Sequence, residues 1–296
     1  GLAFAGHPVD RRSVRGGVPP DGVEQPPFDR IPHPWAPNGV NYTAAIAALT
    51  DEQGRPRFPH PTKPEEAITL LRRTLARQPD ASVTIVMVGY ATNMARLLDS
   101  KPDAASPLDG RELVRRKVRL LSTMAGNFEN QDRPEFNVVL DVATAQRVFR
   151  DWPTPIVASG YEIGLGMLYR QSSAERDFAY AARHPIAETY RLVAPYYARS
   201  SETPDQPHDH ATFDLTSVLY AARPDHGYFS LSAPGLIAIE PDGASRFKTT
   251  PEGNRRYPIQ SDLQRATTLE AMTMLVSQPP GLLPVKASRG VRRSGR

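Results

Sequence analysis

Arg133-Pro134-Glu135-Phe136-Asn137-Val138-Val139-Leu140-Asp141 sets a carboxylate and an amide against an apolar run. Glu and Asn are depleted in strands and cost free energy to bury without partners. A buried strand rarely ends in them, so the segment points to a polar ligand at the carboxyl end of a sheet. Before it, residues 117–124 read as a strand. After it, residues 142–152 read as a helix with Ala143, Val148 and Phe149 inward, and residues 156–158 as a strand ending in Gly160. Upstream, Pro64-Glu65-Glu66 opens a helix to about Arg77, with Ile68, Leu71 and Leu75 on one face. Residues 83–88 form a continuous apolar run, expected of a strand covered on both faces. Residues 94–98, 184–197 and 214–222 read as helices, 229–239 and 246–259 as antiparallel strands, and 262–277 as a closing helix. This order predicts an α/β fold: a mostly parallel open sheet flanked by helices, with a small antiparallel section near the C-terminus.

The chain has 296 residues, enough for a large core. Residues 1–63 are irregular and rich in Pro; only residues 41–49 have a helical look. Residues 64–285 carry the regular pattern as one α/β domain. Residues 286–296 hold five basic side chains and no acid, and read as a disordered basic tail. Without it, 31 basic residues face 32 acidic ones, so the net charge of +4 belongs to the tail. A neutral body argues against nucleic acid as a partner. No apolar run approaches ~18 residues, so a membrane span is not expected. The absence of Cys excludes disulfides, thiolate metal sites and a Cys nucleophile.

In open α/β sheets, ligands sit outside the carboxyl ends of the strands. The segments there are Gly89–Ala95, Met124–Asn130, Glu135–Asn137, Ser159–Glu162 and Ala211–Thr216. Each has an ordinary structural reading too. Thr92-Asn93 suits a helix N-cap, Asn127 and Asn130 suit a turn, Glu135 could pair with Arg133, and Asp214 could cap a helix. His208 and His210 flank Asp209 with the look of a metal cluster, on weak spacing.

Taken in order, these segments resemble the inosine–uridine-preferring nucleoside hydrolases. Thr92-Asn93 after its strand resembles the family's Leu-Thr-Asn turn. Residues 117–137 resemble its Met-Gly-Gly strand end, Asn loop and Glu-Phe-Asn motif. Asp141–Phe149 resembles its Asp-Pro-x-Ala-Ala helix, and residues 212–224 its late Asp-containing helix. The resemblance runs from about Glu65 to Ile259. It implies cleavage of the N-glycosidic bond of ribonucleosides to ribose and free base. It also implies a calcium ion that binds the ribose hydroxyls and a water, the water attacking a sugar of oxocarbenium character. By position, Thr92 would give calcium a backbone carbonyl and Asp214 a carboxylate. Glu135 and Asn137 would hold ribose hydroxyls, Asn127 or Asn130 would add another ribose contact, and Met124 would line the pocket.

Two departures stand out. Phe213 occupies the place where purine-cleaving members carry a His, leaving His210 or a Tyr as candidates to assist the departing base. No Asp cluster follows an apolar strand in residues 1–63. Ala5–Asp10 instead resembles a Gly-Arg-Pro-Asp-Ile-Pro stretch from well inside family members. The resemblance thus implies an N-terminally truncated piece lacking about two strand–helix units, roughly 60 residues at ~30 each. The general base would lie upstream of Gly1, and the chain as written would be inactive or nearly so. Two other readings remain open. One is a non-catalytic sugar- or nucleoside-binding protein. The other is a different glycosidase using Glu135 and Asp214 as its carboxylate pair. Preferred base, compartment and oligomeric state, a homo-oligomer among the options, are not readable.

Overall fold

The structure is a computed structural model that describes residues 46–51, 53–57, 66–200 and 209–279, without the side chains of 193–200. The expectations for the start of the first helix at Pro64, the basic tail, His208 and most of the Pro-rich segment lie outside the described residues. Within that segment, Ile46 and Ala47 form a helical turn, and Thr50 bridges Pro56.

Chain order runs α1 (Ala67–Ala76), β1 (Val83–Met87), α2 (Thr92–Asp99), α3 (Gly110–Lys117), β2 (Val118–Met124), α4 (Phe136–Val139), α5 (Val142–Asp151) and β3 (Ile156–Ser159). Then come α6 (Tyr161–Leu165), β4 (Leu168–Tyr169), α7 (Gln171–Arg176), α8 (Pro185–Ser200), β5 (His210–Ala211) and α9 (Phe213–Ala222). The C-terminal part holds β6 (Ser230–Leu231), β7 (Gly235–Ile239), β8 (Ser245–Thr249), β9 (Arg255–Arg256), β10 (Pro258–Ile259) and α10 (Asp262–Ser277). The main sheet has the order β1-β2-β3-β9-β7-β8. Its first four strands are parallel, and β7 and β8 run antiparallel. Two small antiparallel pairs, β4–β5 and β6–β10, lie outside it.

The strand period of two divides the core. Leu121, Ile156 and Ala158 point to one face, where they meet Leu97, Leu98, Leu113, Val148 and Phe149 from α2, α3 and α5. Leu120 and Val157 point to the other, against Leu219 and Tyr220 of α9 and Met272 of α10. Helices on both faces are what a parallel sheet requires. Hydroxyls seam α9 to the sheet: Ser122 Oγ donates to Ser217 O at 2.8 Å, and Ser159 Oγ meets Thr216 Oγ1 at 2.5 Å.

Several expectations change. The apolar run 83–88 forms β1, but Val83–Val86 are only half-buried and Val88 is exposed, because β1 lies at the edge of the sheet. Helix α3 was not expected: its sequence, Gly-Arg-Glu-Leu-Val-Arg-Arg-Lys, offers only Leu113 and Val114 to a core. Asp109 starts it by accepting from Glu112 N, and it runs straight into β2, which therefore begins at Val118 rather than Lys117. The two long C-terminal strands are five short ones. Pro234 and Pro251 lack an N–H for the ladder, so pairing restarts after each. The apolar residues after Glu135 form the helical turn α4 rather than a strand. Among the described residues, no helix is long and apolar enough to cross a membrane.

Candidate functional site

Strand β2 ends in a bracket of polar contacts. Glu135 caps α4, its Oε1 accepting from Asn137 N at 2.9 Å. Its Oε2 reaches back to Gly126 N at 3.3 Å, just past the end of β2. Asn137 Nδ2 donates to Met124 O at 3.1 Å and approaches Met124 Sδ at 3.2 Å. The Glu-Phe-Asn segment thus grips the last residues of β2 from below. Gly126 turns the chain there with φ +84, a value costly for other residues, and a Cβ on it would meet Ser245 Oγ at 2.8 Å.

Electrostatics mark the same place. Burial pushes the Glu135 carboxyl up to about 7, against the pull of its backbone N–H donors, and the charge of Asp214 adds to the rise. Glu135 is 4% exposed. Asp214 lies in the first turn of α9 and reaches solvent, yet the protein around it still raises its carboxyl to about 6. Two neighbouring acids, both held above their usual range, mark a place short of positive charge.

Thr92 is buried at the start of α2, and its hydroxyl donates to Asp141 Oδ2. Asp141 in turn caps α5 through Thr144 N at 3.3 Å. The capping role expected of Thr92-Asn93 falls to Ala91 without a side-chain bond. Asn93 Oδ1 is buried without a hydrogen-bond partner among the described residues. Asn127 is buried, its Oδ1 accepting from Asn130 N at 2.9 Å, whereas Asn130 is exposed. Arg133 does not pair with Glu135. Its guanidinium lies 4.4 Å from the centre of the Tyr161 ring, and its Nη2 is 3.3 Å from Tyr161 Oη. Phe213 stacks on that ring at 5.3 Å. His210 packs edge-on to Tyr190 at 4.6 Å, and Asp209 accepts from Gln171 N.

The sheet therefore brings Met124, Asn127, Glu135 and Asn137 together at one strand end, with Asp214 close enough to act on Glu135. Sequence reasoning missed the Thr92–Asp141 link, and it placed Glu162 at a strand end without giving it a role. Glu162 folds back toward the same loop, and its acidic side chain at a strand end was the available signal. A calcium ion would call for oxygen donors, six to eight of them. Asp214 and Thr92 are oxygen donors, and the raised acids suit a cation. Among the described residues, no three His, Asp or Glu side chains gather as a metal cluster.

Residues 18–281 match the family model for inosine-uridine preferring nucleoside hydrolase. The chain belongs to this family. A pyrimidine-specific ribonucleoside hydrolase from Enterobacter sp. (strain 638) is 31% identical over 148 residues, 48% of this chain and 43% of that protein. The chain thus spans less than half the length of that curated relative. Among solved structures, a plant nucleoside hydrolase is similar with a TM-score of 0.57 at 17% identity, over 75% of this chain and 71% of that one. A purine-preferring ribonucleoside hydrolase from Gardnerella vaginalis gives 0.54 at 14% identity, over 78% of this chain and 75% of that one. At such identities the structural likeness speaks for the nucleoside hydrolase α/β fold.

Proposed function

We propose that the whole protein hydrolyses the N-glycosidic bond of ribonucleosides, with Glu135 and Asn137 holding the ribose. Family membership supports the reaction class. The observation that carries the assignment is the bracket at the end of β2. A carboxylate offers about four acceptor sites. Two on Glu135 are taken by the N–H groups of Gly126 and Asn137, which fix its orientation. Val138 N–H adds a further pull, and the acceptor capacity left over is for a ribose hydroxyl. Asn137 spends its amide N–H on Met124 and keeps its Oδ1 for the sugar.

The chemistry follows from charge. Leaving of the base puts positive character on the sugar. Glu135 and Asp214, both short of counter-charge, would stabilise that charge once the site closes over the substrate. In this reading Asp214 and Thr92 hold a calcium ion, which when bound supplies a Lewis acid that acidifies a water and orients the hydroxyls. Asn127, pinned in its loop, is the better ribose contact than the outward Asn130. Met124 lines the pocket floor. Phe213 has no proton to give, so base departure relies on another donor or on a base that leaves without one.

Titrating uridine and inosine into the protein with calcium, then with a chelator, tests this. Calcium-dependent binding and release of ribose support it. Binding that ignores the chelator and yields no ribose would move the assignment to a non-catalytic nucleoside-binding protein.

A further inference from the structure

Glu162 has no part in the scheme above, yet it touches the same loop as Glu135. It lies in the first turn of α6, and its carboxylate folds back over Gly160. A Cβ at Gly160 would sit 2.3 and 2.4 Å from the two carboxylate oxygens, so only glycine leaves room for that path. Glu162 Oε2 accepts from Phe128 N at 3.2 Å. Glu135 Oε2 accepts from Gly126 N, and Gly126 O accepts from Tyr161 N at 2.8 Å. The N–H groups of residues 126 and 128 thus end on two carboxylates from two separate segments. Asn127 lies between them. On the far side, the Phe128 ring stacks on Tyr257 at 4.6 Å and 9°.

We infer that Glu162 is a positioning residue: with Glu135 it clamps residues 126–128 and sets Asn127 for the ribose. This rests on the ribose reading of the site. A neutral acceptor would satisfy Phe128 N–H as well, so a carboxylate here has to be explained. Burial and the nearby charge of Glu129 hold the Glu162 carboxyl above its usual range, so the anion is kept at a cost. A carboxylate accepts more strongly than a neutral group, which suits a loop that must hold its shape while a ligand is exchanged. The loop is also bonded to α6, so Glu162 links the ends of β2 and β3 into one rim.

The test uses Glu162→Met, which keeps the side-chain volume and removes the oxygen acceptors, and Glu162→Gln, which keeps one. Amide hydrogen exchange at residues 126–130 and uridine affinity are measured on each full-length variant. Glu162→Met should speed exchange at Phe128 and weaken uridine binding, each by about tenfold, while β2 exchange stays unchanged. Glu162→Gln should restore both to within about threefold. Unchanged Phe128 exchange in Glu162→Met overturns the clamp. Faster exchange with unchanged uridine affinity overturns the positioning role. A wild-type protein that binds no nucleoside overturns the ribose reading and the positioning role with it, while Phe128 exchange still decides the clamp.

Discussion

The two ends of β3 hold opposite charges and treat them oppositely. At its amino end, Arg255 of β9 pairs beside Ile156 and is 3% exposed. Its guanidinium donates to Phe149 O, Trp152 O and Thr154 O at 2.8–3.1 Å, tying down the turn from α5 to β3. Burial lowers its pKa to about 10, yet each of its three nitrogens donates to a carbonyl. At the carboxyl end, Glu135 and Asp214 are raised by burial, with only N–H groups on Glu135 and no side-chain partner for Asp214 among the described residues. A buried charge with a full set of partners is scaffold. A charge with spare capacity marks where something else binds.

That contrast can be broken first at the arginine. Arg255→Met removes the donor from three buried carbonyls and should cost about 3 kcal/mol or more in urea unfolding. Loss below about 1 kcal/mol would mean that the turn holds itself. Next comes the cation. If the acids await calcium, adding it at about 100 times its dissociation constant should stabilise the protein by roughly 2.7 kcal/mol. Asp214→Asn should remove that gain, and an equal gain in the variant would take Asp214 out of the metal site.

A third test uses Glu135, whose folded pKa is raised from 4.5 to about 7. The folded state then holds its proton longer than the unfolded chain. This contribution is fully present below about pH 4.5 and is lost as pH rises through about 7. The melting temperature should therefore fall across that window, and Glu135→Gln should flatten the fall. The same variant should weaken uridine binding by about 10- to 100-fold, the range for a bond to a charged acceptor. A variant that leaves both the slope and the affinity intact would reduce Glu135 to a helix cap. The smallest effect is expected at Thr92→Val, where Asp141 loses a donor but keeps Thr144 N; about 1 kcal/mol should be lost in thermal unfolding.

The parallel part of the sheet was easy to read in the sequence. Residues 118–124 and 156–159 carry apolar side chains toward both faces, Leu121, Ile156 and Ala158 on one and Leu120 and Val157 on the other, and Ser261 with Gln264 forms a capping box that starts α10 where it was expected. Glu135 and Asn137 stood out because their chemistry clashes with their apolar neighbours. The rest was illegible for identifiable reasons. Helix α3 shows too few apolar residues to announce itself. Strands of two residues, such as β9, have no period to detect, and β9 gains its place only by pairing with β3 and β7. The Thr92–Asp141 link spans 49 residues and leaves no local trace. Glu162 stood among the polar residues at a strand end with no partner to single it out until the fold brought Phe128 N–H to it.

The hydroxyl seam under α9 has a further consequence. Greasy interfaces tolerate sliding, because apolar attraction has no direction. The Ser122–Ser217 and Ser159–Thr216 bonds have direction, so they index α9 against β2 and β3 like teeth on a rack. Asp214, less than one turn before Thr216 and Ser217, inherits that registration. A volume-neutral change such as Thr216→Val, touching no ligand, would let the carboxylate drift and detune the site from behind.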